Sequence, residues 1–213
     1  MKAGDDLHSS ALERLLEIEG ELKYMAIQIL SASLPGTLHN LFANSAVYSA
    51  KQSCRIRIAY GADPLGEIDA IAWSTRSLLE TRLMLHHIMR KEHDQAMATI
   101  NEELTRDDHE ISLGLLFSGD HEAAKSELQA LIKALPKTPN NSKMADQSDF
   151  TIEYRTYYTL LCKYTHSSMY LLFGSPSHVR KIEIADVMIE GAVRYMEEIC
   201  EATAYTVNCL PGP

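Results

Sequence analysis

The chain has 213 residues, of which 46% are hydrophobic and 23% are charged, and its formal net charge is -9 at pH 7. Such proportions are typical of globular proteins and argue against disordered, fibrous and membrane-embedded classes. The acidic balance offers no basic surface of the kind that binds a phosphate backbone. Nucleic acid is therefore not an expected partner, although a local cationic groove is compatible with this net charge.

The amino terminus and the cysteines indicate a cellular compartment. The first residues contain no basic segment followed by an apolar run, as a secretory signal would. No stretch of about 18 apolar residues could span a membrane. The four cysteines show no C-x-x-C spacing and lie in apolar segments, which indicates reduced, packed thiols. We therefore expect a cytoplasmic protein without a membrane segment.

The predicted elements are helices throughout, because apolar residues recur at intervals of three and four. Proline, glycine and capping residues separate them. In chain order the predicted helices span residues 10–34, 38–61, 64–92, 94–118, 123–135, 149–174 (with 151 as the alternative start) and 178–210. The charged run 105–108 leaves open a break in the fourth helix. No segment alternates as a strand does, so we predict an all-α bundle of about six or seven helices in one domain, 1–213.

Two segments of this predicted bundle have a distinct composition. Residues 136–149 are rich in Pro, Asn and Ser, which predicts an exposed loop. The last helix is apolar on more than one side, as is typical of a helix that lies centrally in a bundle or lines a dimer interface. We expect the protein to be a homodimer that associates through this helix.

A first polar stripe lies on the third predicted helix. Arg76, Glu80 and His87 stand at offsets of 4 and 11 residues, so they point within about 40° of one another on an α-helix. Arg76 could hold a carboxylate or phosphate group while His87 moves a proton. A solvated or interhelical ion pair between Arg76 and Glu80 is the alternative interpretation.

A second polar stripe lies on the sixth predicted helix. It contains Arg155, Tyr158, Lys163 and His166, and Arg155 and His166 are again 11 residues apart. If the two stripes face each other, they enclose a pocket with the chemical content of an acid/base site. The alternative is that the tyrosines of this segment supply core bulk and that His166 is an interior histidine with satisfied hydrogen bonds.

The motifs that contain these stripes resemble a bacterial family of uncharacterised helical proteins. The residues that carry the resemblance are 73–80 with 83–87, and 158–168. The family has an Arg-Ser-Leu-x-Glu helix and a later Tyr-x-x-Leu-Ser-x-x-x-His helix, and Cys162 stands here where the family more often has serine. The resemblance implies a helical fold and a site in these two segments, and it implies no reaction.

A second resemblance concerns Arg82 and His87. Their spacing is similar to the motif of HEPN ribonucleases, in which four to six residues separate an arginine from a histidine. The resemblance implies a metal-independent ribonuclease or toxin-type enzyme that uses this pair. No Glu-x-x-His pair of the kind found in di-metal helical bundles occurs in the sequence, so we expect neither a metal nor a cofactor.

The functional prediction is a binding or regulatory module. Two polar stripes without a catalytic signature indicate a small-molecule or protein partner, held by Arg76, Glu80, His87, Arg155, Tyr158, Lys163 and His166. The ribonuclease with the pair Arg82 and His87 is the alternative.

Overall fold

The computed structural model describes residues 2–33, 37–63, 66–116, 121–137, 139–148, 150–165 and 178–210. Every regular element in these ranges is a helix, and none is a strand. The predicted all-α, multi-helix fold is therefore confirmed. No helix of the described ranges is long and apolar enough to cross a membrane.

The described residues form eight helices. They are α1 (Lys2–Ala32), α2 (Leu38–Ala62), α3 (Ile68–Met89), α4 (His93–Leu115), α5 (Glu122–Ala134), α6 (Asn141–Gln147), α7 (151–165) and α8 (His178–Asn208). Helix α7 has three parts: it begins as α-helix at Thr151–Glu153, widens into a π-helical turn at Tyr154–Tyr158, and continues as α-helix at Thr159–Thr165.

The structure answers one question that the sequence left open and differs from the prediction in one segment. Helix α4 continues unbroken through the charged run 105–108, where Arg106 pairs with Glu103 one turn earlier at 3.4 Å. The predicted exposed loop at 136–149 contains α6 instead, in which Met144 and Ala145 are buried. A helix of seven residues is too short to show a convincing apolar repeat, so its composition alone indicated a loop.

The chain divides into two compact units. One comprises residues 1–87 with 141–213, and the other comprises residues 88–140. The prediction of a single domain over 1–213 stays a prediction. In the smaller unit, α4 packs against α5. Ala96 is the buried residue of α4, and no described residue of α5 is buried.

The larger unit holds the apolar core, to which α8 contributes along much of its length. Helix α1 packs against α2 and α8, and α8 also packs against α2. The buried side chains of α8 in this core are Ala185, Met188, Ile189, Ala192, Tyr195, Met196 and Ile199. A central position within its own unit therefore accounts for the apolar character of the last helix.

Candidate ligand-binding site

Helices α3 and α7 meet through polar side chains, and Arg76 of α3 makes the connection. Its Nη2 donates a hydrogen bond to the hydroxyl of Tyr158 at 2.7 Å, and its Nη1 donates to Oγ1 of Thr165 at 3.3 Å. On its own helix, Nε of Arg76 pairs with Oε1 of Glu80 at 3.0 Å. The polar edges of the two helices thus face each other at Arg76, as the interpretation of the two stripes requires.

The ring of Tyr158 supports the same guanidinium group. Cζ of Arg76 lies 4.8 Å from the centroid of this ring, a distance at which the negative face of an aromatic ring attracts a cation. Tyr154 stacks on Tyr158, with centroids 4.5 Å apart and ring planes at 22°. The two stacked tyrosine rings and the three hydrogen-bonding partners fix the orientation of the planar guanidinium group, or fork, of Arg76.

Burial sets the protonation of the hydroxyl groups in this cluster. It raises the pKa of Tyr158, and the nearby Glu80 carboxylate adds to the increase while Arg76 opposes it. Burial also raises the pKa of Tyr154. Burial acts to lower the pKa of Arg76, but the hydrogen bond and charge of Glu80 outweigh it, so the pKa of Arg76 is raised. At neutral pH the cluster therefore presents a cation and phenolic O–H groups that remain protonated.

The π-helical turn explains how α7 contacts α3 at two positions, Arg76 and Arg82. Glu153 and Tyr158 are five residues apart, and in a regular α-helix they would point about 140° away from each other. Bonding between residues i and i+5 brings such positions closer to one side of the helix. Tyr158 can then contact Arg76 while Glu153 contacts Arg82, six residues further along α3.

This second contact belongs to a ring of four charged side chains that joins α3, α7 and α8. Arg82, which is 3% exposed, pairs with Glu153 at 3.2 Å and also with Glu198. Arg194 pairs with the same two carboxylates, at 3.2 Å and 3.4 Å respectively. Two positive and two negative charges compensate one another, as burial of the Arg82 guanidinium requires.

Two aromatic side chains lie close to Arg82, the buried arginine of the four charged side chains. Cζ of Arg82 lies 3.6 Å from the centroid of the Phe150 ring and 5.3 Å from that of Tyr195. Burial raises the pKa of Tyr195, with the charge of Glu153 as the next cause. Arg82 is therefore fixed among protein groups, and His87, five positions later on α3, points about 140° away from it.

The structure also describes Arg155, Lys163 and His87 of the predicted pocket. The Arg155 side chain is 70% exposed and pairs with Asp146 at 3.7 Å, and Lys163 is exposed. His87 is half-buried, and its position lies about 16 Å along the α3 axis from Arg76, because an α-helix rises about 1.5 Å per residue. His166 lies outside the described residues.

The structure thus brings together Arg76, Glu80 and Tyr158 from the predicted set and adds Thr165 to them. We call these four residues the Arg76 site. Cys162 lies near enough to influence the pKa of both Arg76 and Tyr158. Among the residues that the structure describes, no group of three or more His, Cys, Asp or Glu side chains is placed to hold a metal ion.

Comparison of the chain with protein-family models finds no match. Comparisons with curated proteins and with solved structures find none either. The geometry of the Arg76 site is therefore the basis for proposing a function.

Proposed function

We propose that the protein is a cytoplasmic ligand-binding or regulatory module that recognises an anionic group through Arg76. The observation that carries this proposal is the fixed guanidinium group between α3 and α7. Its side chain is oriented by Glu80, Tyr158 and Thr165 and still keeps 21% of its surface exposed. A planar fork held in one orientation suits a carboxylate or a phosphate, which it can bind through two parallel hydrogen bonds.

The neighbouring hydroxyl groups extend this chemistry. Tyr158 and Thr165 accept hydrogen bonds from Arg76. The Tyr158 hydroxyl also bonds to the Tyr154 side chain, so the hydroxyl of Thr165 is the one that we propose donates to a ligand oxygen. The raised pKa of Tyr158 keeps its proton in place at neutral pH. The site contains one cation, one carboxylate and two neutral hydroxyl groups, a combination that suits binding of an anionic group. We propose no reaction for it.

The test compares two arginines that differ in burial. Arg76→Ala removes the fork, and Arg155→Ala removes the same charge from a side chain that is 70% exposed. The probes are inorganic phosphate and succinate, and isothermal titration calorimetry measures their binding to the full chain. We expect Arg76→Ala to weaken binding at least about tenfold, because it removes charge-assisted hydrogen bonds.

Two controls accompany this measurement. Arg76→Lys keeps the charge and loses the fork, so it should also weaken binding, while Arg155→Ala should bind like the original protein. Circular dichroism checks that each variant stays helical. Equal binding by the original protein, Arg76→Ala and Arg155→Ala would overturn the proposal.

The proposal includes self-association as a homodimer. The sequence placed the interface on the last helix, but the apolar side chains of α8 lie mostly in its own core. We therefore propose that the interface between two copies uses exposed apolar side chains on another helix.

A further inference from the structure

Helix α1 has two apolar faces, and only one of them is covered. Its inner face places Leu15, Ile18, Leu22, Ala26 and Ile29 in the core, where each is at most 1% exposed. On its outer face, large apolar side chains are exposed to solvent. They are Leu16 (52% exposed), Tyr24 (65%), Ile27 (64%) and Leu30 (46%). Four such residues on one side of one helix exceed the scattered exposed apolar residues of an ordinary surface.

Gly20 lies in the middle of this outer face. A Cβ atom at Gly20 would meet no atom within 4 Å, so the described chain does not use the space that the missing side chain leaves. A glycine inside an exposed helix costs about 1 kcal/mol relative to alanine. A glycine at this exposed position permits the close approach of another backbone.

We propose that the approaching backbone is α1 of a second copy, which crosses antiparallel with Gly20 on the two-fold axis. In a symmetric dimer the same surface patch serves both partners. Residues at equal distances before and after Gly20 then lie opposite each other. Leu16 faces Tyr24 of the partner subunit, and Glu17 faces Lys23 of the partner subunit.

Charge complementarity favours a second copy in this orientation. The outer face carries Glu13 and Glu17 before Gly20 and Lys23 after it. An antiparallel partner places the acidic half of one helix over the half that contains Lys23, whereas a parallel partner would place carboxylates over themselves. The side chains of Glu17 and Lys23 pair with Arg14 and Glu19 on their own helix, but they are 65% and 57% exposed, so both can also reach across such an interface.

This inference deepens the proposed homodimer and does not depend on ligand binding at Arg76, which lies on α3. Sedimentation velocity of the full chain measures self-association. The original protein should sediment as a particle of twice 23.9 kDa. Ile27→Asp should raise the dissociation constant roughly 30-fold or more, because in this register it places a carboxylate opposite Glu13 of the partner subunit.

Ile58 provides a matched control for Ile27. It lies on α2 and is 65% exposed, against 64% for Ile27. Ile58→Asp should leave the dissociation constant within about threefold, because a surface substitution outside an interface has little effect. A monomer at a concentration on the order of 100 µM, where a dimer of micromolar affinity would form, or equal weakening by Ile27→Asp and Ile58→Asp, overturns the α1 interface.

Cysteine cross-linking tests the position of the axis independently. In a Cys209→Ser background, which removes the exposed native thiol, Gly20→Cys should form a covalent dimer under mild oxidation. Ile27→Cys should not, because its two copies would lie about 21 Å apart along the antiparallel helices, and a disulfide requires Cα atoms within about 7 Å. Cross-linking of Ile27→Cys without cross-linking of Gly20→Cys overturns the proposed register.

A measurement of phosphate binding by Ile27→Asp separates this inference from the proposed ligand-binding function. The monomeric variant should bind phosphate as the original protein does. Loss of dimerisation with unchanged binding supports the α1 interface whatever the role of the Arg76 site, and a persistent dimer in Ile27→Asp argues against the interface alone.

Discussion

Tyr157 of α7 occupies the space that a side chain at Gly191 of α8 would need. A Cβ atom at Gly191 would lie 2.7 Å from Cζ of Tyr157 and closer still to its hydroxyl oxygen. The hydroxyl donates a hydrogen bond to the carbonyl oxygen of Val187 on α8. Burial raises the pKa of Tyr157, so it keeps the proton that this bond requires. Tyr157 thus joins the π-helical turn to the backbone of α8 through this hydrogen bond.

The first prediction is that Gly191→Ala destabilises the protein. The added methyl group overlaps the Tyr157 ring, and overpacking of this kind costs about 1 to 3 kcal/mol of the free energy of unfolding. Urea denaturation followed by circular dichroism measures the change. Gly20→Ala at low protein concentration is the control, because it gains the same helix propensity in open space and should stabilise by about 1 kcal/mol. Stabilisation of both variants would contradict the overlap.

The second prediction concerns the ring of four charges. Arg82→Ala leaves Glu153 and Glu198 with Arg194 as their remaining partner in the ring. Removal of one member of a fully buried ion pair costs about 3 to 5 kcal/mol. Because Arg194 still pairs with both carboxylates, which are 20% and 32% exposed, we expect a smaller loss of about 1 to 3 kcal/mol. Urea denaturation should show this loss, while Arg155→Ala should change stability by less than about 0.5 kcal/mol. A loss below about 1 kcal/mol for Arg82→Ala would mean that the ring contributes little.

The third prediction is a pH dependence that originates at Glu19. This carboxylate is 4% exposed and pairs with Lys23 at 2.5 Å and Arg57 at 2.7 Å. Burial acts to raise the pKa of Glu19, but the two hydrogen bonds and charges outweigh it and lower the pKa below 4.5. Because the folded pKa is depressed, Glu19 stabilises the protein above pH 4.5, and this stability is lost as the pH falls through the folded value.

Urea denaturation between pH 7 and pH 3 tests this assignment. The free energy of unfolding should fall with pH in the original protein and fall less steeply in Glu19→Gln. Glu67→Gln removes an exposed carboxylate and should leave the slope unchanged. Identical slopes for the original protein and Glu19→Gln would assign the acid sensitivity to other carboxylates.

The fourth prediction addresses the ribonuclease alternative. The guanidinium of Arg82 is buried and paired with two carboxylates, so it is already neutralised and we expect it to stabilise no phosphodiester transition state. Purified protein should therefore leave varied RNAs intact, and His87→Ala should give the same result. RNA cleavage that disappears in both Arg82→Ala and His87→Ala would restore the alternative, provided that each variant remains helical.

The sequence predicted the helices better than the contacts between them. Periodic apolar residues located the long helices, and the four-residue spacing of Arg76 and Glu80 predicted their pairing, which the structure contains. Both predictions concern residues that are close to each other along a single helix. Tyr158 could be placed on the polar edge of its helix for the same reason, whereas its contact with Arg76 depended on how two helices pack.

The charged ring could not be predicted from local spacing. Arg82 lies 71 positions from Glu153 and 116 from Glu198, and no local pattern relates these residues. The π-helical turn added a second difficulty, because it changes the angle between residues before and after it. The expectation that Arg155 and His166 share a face assumes a regular helix; the structure pairs Arg155 with Asp146, and His166 lies outside the described residues.

The closed ring of Arg82, Glu153, Arg194 and Glu198 also constrains how this chain can evolve. Loss of Glu153 or Glu198 removes one of the two carboxylates that compensate the buried Arg82, so substitutions at these positions should be coupled. Distant homologues should therefore replace opposite charges in pairs. Coordinated replacement at these positions offers a criterion for detecting common ancestry after overall sequence similarity has faded.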